Sequence, residues 1–172
     1  LVTALEADPA TPLYQVAVLD EAARGQLRRR WNDTARAAAA SPVPDLVAVR
    51  VARTPDAVAV VSGDVVLTYG GLDAEASRVA GVLAGRGVGR GDVVAVRAGR
   101  SANLVANLLG VLQAGAAYLP VDPSYPAERV EFMLADTGPA AVLDGGLVVG
   151  SAGTVTARLT GLDAAYVVYT SG

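Results

Sequence analysis

The stretch Asp92-Val93-Val94-Ala95-Val96, followed by Leu104, Leu108, Val111 and Leu112 at helical spacing and then by Ala117-Tyr118-Leu119, decides the fold. The first and third segments are short, continuous apolar runs, the pattern of strands covered on both faces. A helix joining two such strands is a crossover connection, so the strands pair in parallel. Gly115 ends that helix. Pro120 and Pro123 are read as closing the second strand.

The same alternation continues on either side. Ala57 to Val61 and Val65 to Thr68 are strands joined by the tight turn Gly63-Asp64, a hairpin signature. Leu72, Ala76, Val79, Val82 and Leu83 recur at helical spacing, which predicts a helix from Gly71 to Arg86, ended by the glycines at 87, 89 and 91. Asp45 to Val51 fits a short helix. Ala127 to Leu134 predicts another, stopped by Asp136-Thr137-Gly138-Pro139, and Ala141 to Leu143 a further strand. The region 145–161 is glycine-rich, with weak strand character near Val148 and Val155. Ala165 to Tyr169 is the last strand. The fold class is therefore α/β: a partial doubly wound, mostly parallel sheet with helices on both faces, preceded by a helical linker. Residues 1–44 form the linker and 45–172 the core. Within the linker, Asp20 is placed as an N-cap, Leu27 and Trp31 share a helical face, Asn32-Asp33 stops the helix, and 35–44 is an alanine, serine and proline stretch.

Composition narrows the chemistry. The chain has 172 residues, 52% of them hydrophobic and 18% charged, and a net charge of −3. That favours a globular domain and gives no electrostatic case for nucleic acid or an anionic membrane. There is no cysteine and no histidine, and all 14 basic residues are arginine. Thiolate chemistry, the usual general base and the Schiff-base nucleophile are all absent. No apolar run reaches the roughly 20 residues of a membrane span, and no signal peptide is visible, so a cytoplasmic location is expected.

Three segments carry chemical information. Leu67-Thr68-Tyr69-Gly70-Gly71-Leu72 is a strand-to-helix joint. Leu112 to Pro123 ends with Asp122 between prolines at a strand's carboxyl end. There Asp122 can assist catalysis or stabilise a turn. Tyr166-Val167-Val168-Tyr169-Thr170-Ser171-Gly172 is an apolar strand running into hydroxyl and glycine residues. Such a loop can turn its N–H groups toward a phosphate, or be a plain surface turn. The run Gly85 to Gly91 superficially matches a dinucleotide loop, but it follows a helix and precedes a strand, the wrong order.

In this order the segments resemble the adenylate-forming enzyme superfamily, and within it the adenylation domains of nonribosomal peptide synthetases. Arg53-Thr54-Pro55-Asp56-Ala57 is similar to the opening of such a domain. Leu67–Leu72 and Leu112–Asp122 resemble its first two core motifs, and Asp122 to Arg129 its usual continuation. Ala165 to Gly172 resembles the start of its third motif, and residues 14–34 the segment between a condensation and an adenylation domain. The resemblance implies ATP, Mg²⁺ and an amino-acid substrate. It also implies an upstream condensation domain and a downstream carrier protein bearing phosphopantetheine. Thr170, Ser171 and Gly172 would line the triphosphate. No residue here matches the family's catalytic lysine and none matches a metal ligand, so the 172 residues alone are expected to be inactive. Two alternatives stay open. One is a non-catalytic platform docking on a condensation domain through Leu13, Tyr14, Val16, Val18 and Leu19. The other is part of a free-standing acyl-coenzyme A ligase.

Overall fold

The structure is a computed structural model that describes residues 6, 10, 12, 19–35, 41–146, 150, 153–155 and 159–170. The chain divides into two compact units, Leu1–Ala39 and Ala40–Gly172.

In the first unit, α1 (Glu21–Gly25) starts at Asp20, whose carboxylate accepts the Ala23 N–H at 2.6 Å. It runs on as a π-helical turn over Gln26–Arg30, which places Arg28, Arg29 and Arg30 at the negative end of the helix dipole. The Asn32 side chain donates to the Leu27 carbonyl at 2.6 Å and stops the turn. Leu27 and Trp31 both remain exposed. Residues 13–18, the larger part of the apolar stretch expected to dock on a neighbour, lie outside the described residues.

The second unit opens with α2 (Val43–Arg53), two residues earlier than the sequence pattern predicts. Pro44 sits in its first turn, where a backbone N–H would have no helical partner anyway, so the proline extends the helix rather than delaying it. The hairpin β1 (Val58–Ser62) and β2 (Val65–Thr68) is antiparallel and turns at Gly63, whose φ of 59° is the left-handed geometry that a two-residue turn requires. Ala59 and Val60 of β1 pack with Val47 of α2 against Leu72, Ala76, Ala106 and Leu109.

Helix α3 (Tyr69–Gly85) begins as soon as β2 ends, because the Thr68 hydroxyl accepts the Gly71 N–H at 3.1 Å. Then follow β3 (Val93–Arg97), α4 (Ala102–Gln113), β4 (Ala117–Val121), α5 (Ala127–Thr137) and β5 (Ala141–Leu143). The three later strands form a parallel sheet in the order β4-β3-β5. Alternation along β3 assigns the faces. Val94 and Val96 pack with Val79, Leu83 and Val111 of α3 and α4, whereas Ala95 meets Leu119, Val121 and Met133 on the α5 side. Helices thus cover both faces, as the apolar strands predict. Between α3 and α4 the approach is close: a Cβ added at Gly110 would lie 2.6 Å from the Val79 Cβ.

Two strand assignments change. Pro120 does not end β4, which continues to Val121. Ala117 donates to Asp92 on the β3 side, so by alternation Ala117, Leu119 and Val121 face β3, while Tyr118 and Pro120 face away from it. The proline's missing donor therefore leaves the β3 ladder intact. The segment expected as a last strand over 165–169 makes a single parallel bridge, Tyr118 to Tyr166. Tyr118 donates to the Ala165 carbonyl at 3.0 Å and accepts from the Val167 N–H at 2.9 Å. The next rung would need an N–H from Pro120, so regular pairing stops there. Val148 lies outside the described residues. Val155 is in no strand, and nearby the Gly153 N–H donates to the Gly81 carbonyl of α3 at 2.7 Å.

Candidate functional site

Parallel strands put all their carboxyl ends at one edge of the sheet, where open α/β folds place ligands. Here that edge holds a cleft of about 290 Å³. Ala98, Gly99 and Arg100 enter it from the turn between β3 and α4, Asp122 from beyond β4, and Val168 and Tyr169 from the bridged C-terminal segment. Leu104, Leu108 and Met133 supply apolar wall. The sequence reading did not single out Arg100. Its position in the short turn between a buried strand and the Ser101 N-cap of α4 is the signal that could have found it.

Asp122 is committed to its turn. Its Oδ1 accepts the Ser124 N–H at 2.8 Å and the Ser124 hydroxyl at 2.7 Å, and its carbonyl accepts the Tyr125 N–H at 3.0 Å. The two Ser124 bonds hold its carboxyl below the ordinary carboxylate range, with the Arg100 charge adding to the effect. Of its two readings, the turn-stabilising one matches this geometry. Thr68 likewise serves the fold, as the α3 cap. Arg97 and Asp144 pair at 2.7 Å across the ends of β3 and β5, but both are well exposed, so the pair adds at most about 1 kcal/mol.

The C-terminal segment is held by its tyrosines on opposite faces. Tyr166 stacks on Tyr118 with ring centroids 5.7 Å apart. The Tyr118 phenol is pushed up by burial and then by the neighbouring Tyr166. On the α5 side, the Tyr169 hydroxyl donates to Asp136 Oδ2, and the Thr137 hydroxyl lies 2.8 Å from it. The Tyr169 proton goes to Asp136, so Thr137 is the donor in the second bond. The Asp136 contact pushes the Tyr169 phenol's pKa up, and Thr137 partly opposes it. The ring of Tyr169 meets Phe132 edge-on at 6.0 Å. Sequence reasoning took Asp136 and Thr137 only as a helix end.

Thr170 follows Tyr169 directly and is exposed. Ser171 and Gly172 lie outside the described residues. No group of three or more acidic, histidine or cysteine side chains is placed to hold a metal among the described residues. Among those residues, no helix is long and apolar enough to cross a membrane.

A profile of the family described as AMP-binding enzyme matches residues 47–158. The chain is 48% identical over 166 residues to a probable non-canonical nonribosomal peptide synthetase, CymA, of Salinispora arenicola (strain CNS-205), covering 95% of this chain and 2% of that protein. It is 36% identical over 195 aligned residues to a linear gramicidin synthase of Brevibacillus parabrevis, covering 100% of this chain and 4% of that protein. The chain therefore spans a small part of these relatives. Among solved structures, the nonribosomal peptide synthetase FmoA3 bound to α-methyl-L-serine-AMP superposes with a TM-score of 0.72 at 33% identity, over 82% of this chain and 18% of that one.

Proposed function

The chain belongs to the AMP-binding enzyme family, and we propose that it is the N-terminal part of an amino-acid-activating adenylation domain in a nonribosomal peptide synthetase, with residues 1–44 as the condensation–adenylation linker. The intact domain would join an amino acid to ATP, releasing pyrophosphate, and pass the aminoacyl group to the phosphopantetheine thiol of a downstream carrier protein. A condensation domain would lie upstream, and the assembly would work in the cytoplasm, where ATP is supplied.

One observation carries this reading. The alignment to the gramicidin synthase takes in the whole chain, including the segment before residue 47 where the family profile begins. A free-standing acyl-coenzyme A ligase gives no reason for that segment to match a synthetase. The platform reading has no observation in its favour.

The residues present fit part of ATP. Arg100 offers a fixed positive charge at the cleft, and Thr170 an exposed hydroxyl just past it. Both are suited to phosphate oxygens. The fit does not extend to Mg²⁺, for which the described residues supply no cluster. Bound ATP would supply the phosphoanhydride that makes adenylation favourable. The chain's own part is to orient and to screen. Thr170, with Ser171 and Gly172, would present hydroxyl and N–H donors to the phosphates, and Arg100 would offset their charge. The apolar walls around Leu104 and Met133 would thin the water at that edge and strengthen those contacts.

The test is amino-acid-dependent pyrophosphate exchange by the intact domain containing this chain. Exchange with one or a few amino acids, and none from the 172 residues alone, is the expected result, because this stretch contains no lysine to meet the reacting carboxylate. Thioester formation from fatty acids and coenzyme A, without aminoacyl transfer, would overturn the assignment.

A further inference from the structure

The backbone stops positioning the C-terminal segment one rung before the residues that matter. Tyr118 makes both bonds of the bridge, to Ala165 and from Val167, and Pro120 has no N–H for the next. Among the described residues after Val167, side chains make the contacts that hold the chain. Tyr169 is where those side chains act: its hydroxyl meets Asp136 and Thr137 at the last turn of α5, and its ring packs on Phe132.

Asp136 is an odd choice for that place on local grounds. A carboxylate in the last turn of an 11-residue helix faces the negative end of the helix dipole. Among the described residues no cation forms an ion pair with it. Its one described partner is the Tyr169 phenol, and Thr137 beside it completes the hydrogen bonding of the same oxygen. A local rule broken at one position marks a contact that serves something else.

We infer that Asp136 and Thr137 are positioning residues for nucleotide binding: they hold the Tyr169 hydroxyl so that Val168 and Tyr169 stay at the cleft with Thr170 directly after them, replacing the sheet rung that Pro120 removes. This rests on the adenylation reading above. The ligand they serve is the polyphosphate of the nucleotide, not the amino acid. Asp136 and Thr137 touch neither; they act through one phenol.

The experiment uses the intact adenylation domain, with wild-type exchange as the check on the adenylation reading itself. Tyr169→Phe removes only the hydroxyl and keeps the ring on Phe132. It is expected to raise KM for ATP about tenfold while leaving KM for the amino acid within twofold, as loss of a hydrogen bond to a charged group implies. Asp136→Ala should do the same, and the double variant should be no worse than either single one, because both break one contact. Asp136→Asn keeps an acceptor and should restore most of the ATP affinity. Amide exchange of the peptide covering 165–170, measured without nucleotide, should speed up in Tyr169→Phe and Asp136→Ala and return toward wild type in Asp136→Asn. Unchanged amide exchange overturns the inference, as does an equal rise in both KM values. A wild-type domain that shows no exchange with any amino acid refutes the adenylation reading instead, and the amide-exchange result still judges the positioning contact.

Discussion

Gly110→Ala should destabilise the protein although alanine is the better helix former. Glycine inside a helix costs about 1 kcal/mol relative to alanine, so α4 alone would gain that much. The obstacle is α3. A Cβ at position 110 would stand 2.6 Å from the Val79 Cβ, 2.8 Å from the Val79 Cγ1 and 2.7 Å from the Ala76 carbonyl oxygen. Carbon atoms rest about 3.5–4.0 Å apart, so the helices must part by about 1 Å at this crossing. That gap forfeits a quarter to a half of each contact it opens, among Val79, Leu83 and Val111, all fully buried. Overpacking of this kind costs about 1–3 kcal/mol, leaving a net loss of up to about 2 kcal/mol after the helical gain. For a chain of this size the melting temperature should fall by up to roughly 8 °C. Gly71→Ala is the internal control. It lies in α3, its nearest neighbour is the Thr68 hydroxyl at an ordinary 3.5 Å, and its N–H bond to that hydroxyl survives the change. It should leave the melt unchanged or raise it by a few degrees. Thermal unfolding followed by far-ultraviolet circular dichroism compares the two. If Gly110→Ala melts at or above wild type, the close helix crossing is not the constraint described.

Two further outcomes test other contacts. Ser101→Ala removes the hydroxyl that accepts the Leu104 N–H at 3.2 Å and should cost about 1 kcal/mol in urea unfolding, whereas Ser101→Asp, which keeps an acceptor at the cap, should recover most of it. Asp163 has its carboxyl pulled down by the Thr160 N–H and by Arg90, which it meets at 2.7 Å. Its folded value is thus below its unfolded one, so its contribution is complete above the ordinary carboxylate range and lost as pH falls through the lowered value. Asp163→Asn should flatten the acid limb of the stability–pH curve there and leave its neutral limb parallel to wild type.

The strand–helix alternation was legible because each buried strand is a continuous apolar run and each helix carries one apolar stripe. Glycine and capping residues marked most of the boundaries. The failures share a cause: they depend on which neighbour a backbone group faces. Pro120 looks like a terminator until its side of the ladder is known. The same proline explains why 165–169 makes one bridge and no ladder, and nothing in the apolar run Ala165 to Tyr169 carries that information. Asp122 held two readings open because an Asx turn and a free carboxylate look alike in a string of letters. Arg100 was findable from position alone. The bonds of Asp136 and Thr137 to Tyr169 were not, since they join residues more than thirty positions apart with no periodic signal between them.

Strand β3 lies at the centre of its sheet, yet both of its partners follow it in the chain. Its first rung with β4 joins Val93 to Ala117, and its first with β5 joins Val94 to Ala141. A nascent polypeptide emerging at about 5–20 residues per second therefore exposes this apolar strand with both sides bare for seconds before either partner exists. During that interval the hairpin and α3 can form from what has already been made, but β3 has nothing to pair with except strangers. The vulnerable moment in the life of this protein is thus set by connectivity. Co-translational chaperone capture should concentrate on chains that have released Val96 and not yet Val121.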